Sequence, residues 1–232
     1  MKELEELDTL FKSPTIKPSF EDVHVILALY IFEKHPEGIG RYRLKNELSI
    51  GEGTTKSLIK KLSRDIHFLE IKRANSGEKS TSKRSGHVLT ELGKNFLKKI
   101  KRRIPIIEKG DISILKELIV GSPDSNPYFC LIKNASEKIT NGVEQRDAAI
   151  KVNGSGATCL VYIADDLVFP ESSFSEDESN QTKVRDEVLN YFKSKIVSLN
   201  EKLEQSDVII IGLGTDKKIS RLAALNSALT LI

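Results

Sequence analysis

The segment from Gly40 to Ile66 leaves the chain little freedom of fold. Leu44 and Leu48 fall four apart in Gly40–Leu48, the turn Gly51-Glu52-Gly53 follows, and Leu58, Ile59, Leu62 and Ile66 recur at helical spacing from about Thr54. Apolar residues spaced in this way mark one buried helix face. A glycine-rich turn this short makes the two helices cross rather than run on as one. Upstream, Pro14 and Pro18 break the chain, and Ser19 is placed to cap a helix over about Phe20–Lys34 with Glu21 and Asp22 in its first turn. Val23, Ile26, Leu27, Leu29, Tyr30 and Ile31 make that helix a core element, ending at His35-Pro36-Glu37-Gly38. Before the prolines, residues 1–12 set Leu4, Leu7, Leu10 and Phe11 at helical spacing in an acidic segment, which predicts an amphipathic helix able to serve as a docking or dimer seam.

Downstream the period changes from helix to strand. Phe68-Leu69-Glu70-Ile71-Lys72-Arg73 and Gly86-His87-Val88-Leu89-Thr90 read as antiparallel partners around a polar loop, Asn75–Ser85, that carries Lys79, Lys83 and Arg84. Thr90-Glu91-Leu92-Gly93 then starts a further helix with Thr90 as its cap. Helix, turn, helix, strand, basic loop, strand and helix is the order of a winged helix-turn-helix. The run Leu89-Thr90-Glu91-Leu92-Gly93 directly after a wing strand resembles the pattern of prokaryotic winged-helix repressors of the MarR and PadR kind, over about residues 20–100.

Charge points to the partner of such a module. Between Gly40 and Pro105 there are 18 Lys or Arg against 6 Asp or Glu, whereas the whole chain has a net charge of only +3. A basic island in an otherwise acidic protein suits one polyanion-binding face, and duplex DNA rewards clustered cations through counterion release. Advancing about 100° per residue along the helix from Thr54 puts Ser57, Lys60 and Arg64 opposite the apolar face, flanked by Lys56 and Lys61. These five residues are the expected contacts of a recognition helix in the major groove. Arg41 and Arg43 are the expected phosphate contacts of the preceding helix, and Lys79, Lys83 and Arg84 those of the wing. The Lys98–Arg103 run is either a set of backbone contacts or a solvated helix face.

Pro105 and Gly110 mark an interdomain joint, which predicts domains of 1–105 and 106–232. Tyr128–Ile132, Ala157–Ile163 and Asp207–Gly212 are continuous apolar runs, hence buried strands. They alternate with helical patterns at Gln145–Val152, at about Thr182–Leu203, and after Asp216. The acidic, serine-rich stretch 171–180 predicts a mobile loop. The fold class is α+β: an N-terminal winged helix-turn-helix followed by a small α/β sandwich domain with a mostly buried sheet.

Chemistry in this second half is sparse. Gly212-Leu213-Gly214-Thr215-Asp216 joins a strand to a helix, where backbone N–H groups could hold an anion, but it lacks the third glycine of a dinucleotide fingerprint and the Gly-Lys-Ser/Thr of a P-loop. Asp216 is equally read as a helix cap, and Arg146-Asp147 either as a binding pair or as a buried structural ion pair. Gly154 and Gly156 are read as ending a helix and turning it into a strand. No nucleophile–base set, paired carboxylates or metal-ligand spacing stands out, so neither a catalytic site nor a metal or other cofactor is expected. Cys130 and Cys159 sit in apolar runs and read as reduced core residues, which with the absence of a signal peptide or a membrane-length apolar run places the chain in the cytoplasm.

Over both halves the chain resembles an uncharacterised family of two-domain archaeal proteins, through Arg146-Asp147-Ala148-Ala149-Ile150, Gly156-Ala157-Thr158, Val168-Phe169-Pro170 and the run from Ile209 to Leu231. That resemblance implies a DNA-binding regulator and brings no activity. The function expected is a transcription regulator that binds double-stranded DNA and is not an enzyme, with a C-terminal domain that senses a small-molecule effector or forms a homodimer. Two alternatives stand beside it. One is an enzyme with an accessory winged helix, similar to certain archaeal riboflavin kinases, and the other is a winged helix used for protein or RNA contacts.

Overall fold

The computed structural model describes residues 20–72, 86–119, 126–170 and 182–232. It has mixed α+β architecture, and the chain divides into two compact units, Met1–Ile100 and Lys101–Ile232.

In the first unit, α1 (Asp22–Glu33), α2 (Arg41–Leu48) and α3 (Glu52–Lys60) precede the antiparallel strands β1 (Leu69–Ile71) and β2 (His87–Leu89), and α4 (Glu91–Arg103) follows. Helix α1 is apolar nearly all round, and Val23 and the run Val25–Phe32 are buried, as expected of a helix enclosed in a core. Helix α2 ends where Ser49 enters the left-handed region. The turn therefore lies over Ser49–Gly51, and Gly51 caps α3. Glu52 and Gly53, read from the sequence as turn, form the first helical turn instead, where Glu52 is favoured by the helix dipole. Leu58, Ile59, Leu62 and Ile66 are buried on one face. The helix is not α-helical throughout: Lys61–Asp65 form a π-helical turn, in which the Ile66 N–H reaches back to the Lys61 carbonyl at 3.1 Å. The Ser63 hydroxyl donates to the Ile59 carbonyl at 2.7 Å and so competes for the ladder at this point.

The expected cap at Thr90 is present: its hydroxyl accepts from the Gly93 N–H at 3.1 Å and donates to the His67 carbonyl at 2.7 Å. Gly93 is fixed by packing, because a Cβ there would stand 2.4 Å from the Phe68 carbonyl oxygen. Phe68 and Phe96 stack beside it with ring centroids 5.0 Å apart.

The second unit is built on one five-stranded antiparallel sheet in the order β3 (Ile106–Lys109), β4 (Tyr128–Ile132), β7 (Val208–Leu213), β5 (Gly156–Ile163), β6 (Asp166–Val168). The three strands expected from apolar runs are the central ones, and the two edge strands were not expected. Ile106–Lys109 lies where a joint was predicted, because a four-residue edge strand carrying Glu108 and Lys109 has no apolar signature. β6 follows β5 through Ala164 and Asp165, both at positive φ, as a tight two-residue hairpin requires.

Phe129, Leu131, Leu160, Tyr162, Ile209 and Ile211 point to a core shared with α5 (Ile112–Leu115) and α7 (Asp186–Ser198), where Phe129 meets Phe192 edge to face. By strand alternation Cys130, Cys159 and Ile210 face α6 (Val143–Lys151) and α8 (Lys217–Leu229). Gly212 lets α8 approach, since a Cβ there would stand 2.1 Å from the Ala224 backbone nitrogen. Helix α7 is shorter than the expected Thr182–Leu203 at both ends.

Candidate nucleic-acid interface

Helix α3 and its π-helical extension present the predicted contacts unequally. Lys56, Ser57, Lys60 and Arg64 are exposed, and among the described residues none of these three cations pairs with a carboxylate. Lys61 lies nearer the core and pairs with Asp65 at 3.5 Å. Arg41 pairs with Glu52 at 3.1 Å and lies over the Tyr42 ring, its guanidinium carbon 5.2 Å from the centroid. Arg43 meets His35 Nε2 at 3.1 Å and Glu37 at 3.7 Å. Lys79, Lys83 and Arg84 fall outside the described residues.

Beside α3 runs an open groove of about 1130 Å³ whose basic rim includes Arg41, Lys56, Lys60 and Arg64. Its walls also carry Tyr42, Ile59, His67, Leu69, Ile71 and His87. Tyr42 and Ile71 are each 61% exposed. Sequence reasoning missed this apolar component. Tyr42 could have been noticed as an aromatic between two arginines on a polar helix face. Ile71 could not, since strand alternation with Leu69 predicts it to point inward. The His87 Nδ1 is buried without a hydrogen-bond partner among the described residues, and burial holds the pKa of this imidazole below its usual value.

The residues singled out in the second unit lie near one end of the sheet. Gly156 pairs with Leu213, and Arg146 Cγ lies 3.8 Å from where a Gly156 Cβ would stand. Arg146 and Asp147 bond each other at 3.0 Å, but both are exposed, so the buried ion pair considered from sequence is not what forms. Asp216 caps α8, its Oδ1 accepting from the N–H groups of Lys218 and Ile219 at 2.7 and 3.0 Å. Gly214 is packed against Ile219, where a Cβ would stand 2.5 Å from Cγ2. Helix α6 ends in paired N–H bonds, Asn153 to the Ile150 carbonyl and Gly154 to the Ala149 carbonyl, with Asn153, not a glycine, in the left-handed position.

Cys130 and Cys159 both register against Ile210 from opposite sides of β7 and remain free thiols. Burial raises both thiol pKa values, that of Cys159 to about 12. Among the described residues there is no metal-ligating cluster and no helix long and apolar enough to cross a membrane.

The architecture thus defines an α+β chain with a basic groove in its first unit. Residues 123–231 match a family described as a domain of unknown function (DUF4443). A solved structure with a similar fold is a hypothetical protein from Pyrococcus horikoshii OT3. It has 20% sequence identity and a TM-score of 0.61, and the match covers 91% of this chain and 93% of that one. At that identity the likeness is one of fold. No curated protein matches the chain. These matches fit an uncharacterised family, and the family match contains the residues from Arg146 to Leu231 that carried the sequence resemblance.

Proposed function

We propose that the first unit is a winged helix-turn-helix that binds duplex DNA, and that the protein is a transcription regulator, not an enzyme. The observation that carries this reading is the side of α3 and its π-turn formed by Lys56, Ser57, Lys60 and Arg64, exposed while Leu58, Ile59 and Leu62 are buried. Long cations left free of local carboxylates are poor packing elements and good phosphate ligands. The order of elements supports the reading, as does the short bridge Ile39–His87, which adds a third backbone partner to the β1–β2 hairpin. Arg41 and Arg43 are assigned to backbone positioning, where a phosphate would replace Glu52 and Glu37 as their partner. Residues 79–84 are assigned to the wing.

In the second unit, a homodimer seam or an effector site completes the regulator. A cavity of about 490 Å³ beside Asp111, Tyr191 and Lys195 has the size of a small-molecule site. Binding of a labelled duplex to the full chain tests the assignment. The double variant Lys60→Glu with Arg64→Glu abolishes binding at low salt while its melting temperature stays at the wild-type value. Unchanged affinity would reject the reading.

A further inference from the structure

The groove beside α3 has chemistry that a DNA backbone does not use. Phosphates account for its rim of Arg41, Lys56, Lys60 and Arg64, and the Tyr42 hydroxyl can donate to one, but they do not account for the Ile71 side chain or the body of the Tyr42 ring, both on its walls in residues 61% exposed. The lining carries four cations against one carboxylate, Glu70, with Tyr42, Ile59, Leu69 and Ile71 among its walls. A net-positive groove with apolar walls fits an acidic segment with an apolar stripe. This chain contains one. Residues 1–12 carry Glu3, Glu5, Glu6 and Asp8 against Lys2 and Lys12, and Leu4, Leu7, Leu10 and Phe11 recur at helical spacing.

We propose that residues 1–12 bind this groove in the same chain and compete with DNA for it. The tether is long enough. Ser13 to Ser19 can span up to about 25 Å at about 3.5 Å per residue, whereas a unit of this size has a radius of gyration of roughly 12 Å. Its start is fixed, because Phe20 is buried at the head of α1. The match is one of composition: four carboxylates in the segment against a net-positive lining, and Leu4, Leu7, Leu10 and Phe11 against the exposed Tyr42 and Ile71. A short tether holds its segment at an effective concentration of about 1 mM. A segment affinity on the order of 0.1 mM would therefore weaken DNA binding about tenfold. The protein would then hold its own interface closed against weak, non-specific duplex and yield it to a stronger site.

The occupancy of the groove does not depend on the DNA assignment, and one reporter separates the two. The chain has no tryptophan, so Phe11→Trp in the full chain gives a single indole signal. Docking predicts a blue-shifted emission shielded from acrylamide, independent of protein concentration, and lost with Lys56→Glu plus Lys60→Glu. An emission typical of free indole, unaffected by those two substitutions, would overturn the proposal. So would a blue shift that disappears on dilution, since the segment would then occupy a second copy. Added duplex is expected to release the indole, and Leu7→Ser with Phe11→Ser to tighten duplex binding about tenfold. A shielded indole that bound duplex, followed by anisotropy, does not displace would overturn the competition, whereas a shielded indole with no duplex bound at low salt would leave the docking intact and reject the DNA reading.

Discussion

Lys133 donates to Asp207 at 2.6 Å, and that carboxylate is wholly shielded from solvent at the start of the central strand β7. The Asn134 and Glu204 N–H groups also donate to it, at 3.0 and 2.8 Å, while the Lys133 ammonium bonds Glu204 and the Lys202 carbonyl. One carboxylate thus ties the end of β4 to the loop entering β7. Replacing Asp207 with Ala leaves two backbone donors without their acceptor and takes one of three partners from the ammonium, and the expected loss is about 2–4 kcal/mol of unfolding free energy. Denaturant titration measures it.

The same pair sets a limit at high pH. Burial acts to lower the Lys133 pKa, but the hydrogen bonds to Asp207 and Glu204 outweigh it and hold the ammonium above its ordinary range. A raised folded pKa means that the pair's contribution is complete below the unfolded lysine value of about 10.4 and is lost as pH rises through the folded value. Melting temperature is expected to fall above that pH in the wild type and to fall less steeply in Lys133→Met.

At acid pH the first unit carries the weakness. The His24 Nδ1 accepts from the Glu21 N–H at 3.1 Å at the head of α1, and burial lowers the His24 pKa. A depressed imidazole pKa gives stability that is present above about pH 6.5 and is lost as pH falls toward the folded value. His87, lowered by burial as well, adds in the same direction. The urea midpoint should drop between pH 7.5 and 5, and His24→Gln, which keeps an acceptor without a titration, should flatten that drop.

Two glycines are expected to resist the gain in helix or strand propensity that alanine normally brings. Gly93→Ala sets a methyl group 2.4 Å from the Phe68 carbonyl oxygen, and Gly212→Ala sets one 2.1 Å from the Ala224 nitrogen. Both neighbours are backbone and cannot swing aside. Each substitution should cost about 1–3 kcal/mol or more, read from denaturant unfolding of the corresponding unit.

DNA binding should be steeply salt-dependent. If Arg41, Arg43, Lys56, Lys60 and Arg64 each neutralise one phosphate, the slope of log affinity against log salt is about −4.5, steeper with each wing cation that also does so, and Lys56→Ala reduces its magnitude by about 1. Anisotropy titrations over a salt series measure both.

Much of this was legible along the chain, and what was not has a physical pattern. The apolar ladders located α1, α3 and the three central strands, because burial on one face or on both imposes a period that local composition reveals. The Thr90 cap was legible for the same reason, since its bond to Gly93 lies within four residues. The edge strands β3 and β6 were not legible: half of each is solvated, and only the register against β4 and β5 makes them strands. The π-turn at Lys61–Asp65 had no sequence period of its own.

At the candidate site, sequence alone determined which side of α3 is cationic, because a helix converts spacing into direction. The Lys61–Asp65 pair is the i, i+4 spacing of a helix and is legible locally, but that Arg41 and Arg43 are engaged was decided by the tertiary structure, which placed Glu52 beside Arg41 and Glu37 beside Arg43. It also decided that Gly212 and Gly214 accommodate α8, and that Tyr42 and Ile71 meet across one groove. Pairing, close approach and concavity depend on residues distant along the chain, and no local pattern encodes them.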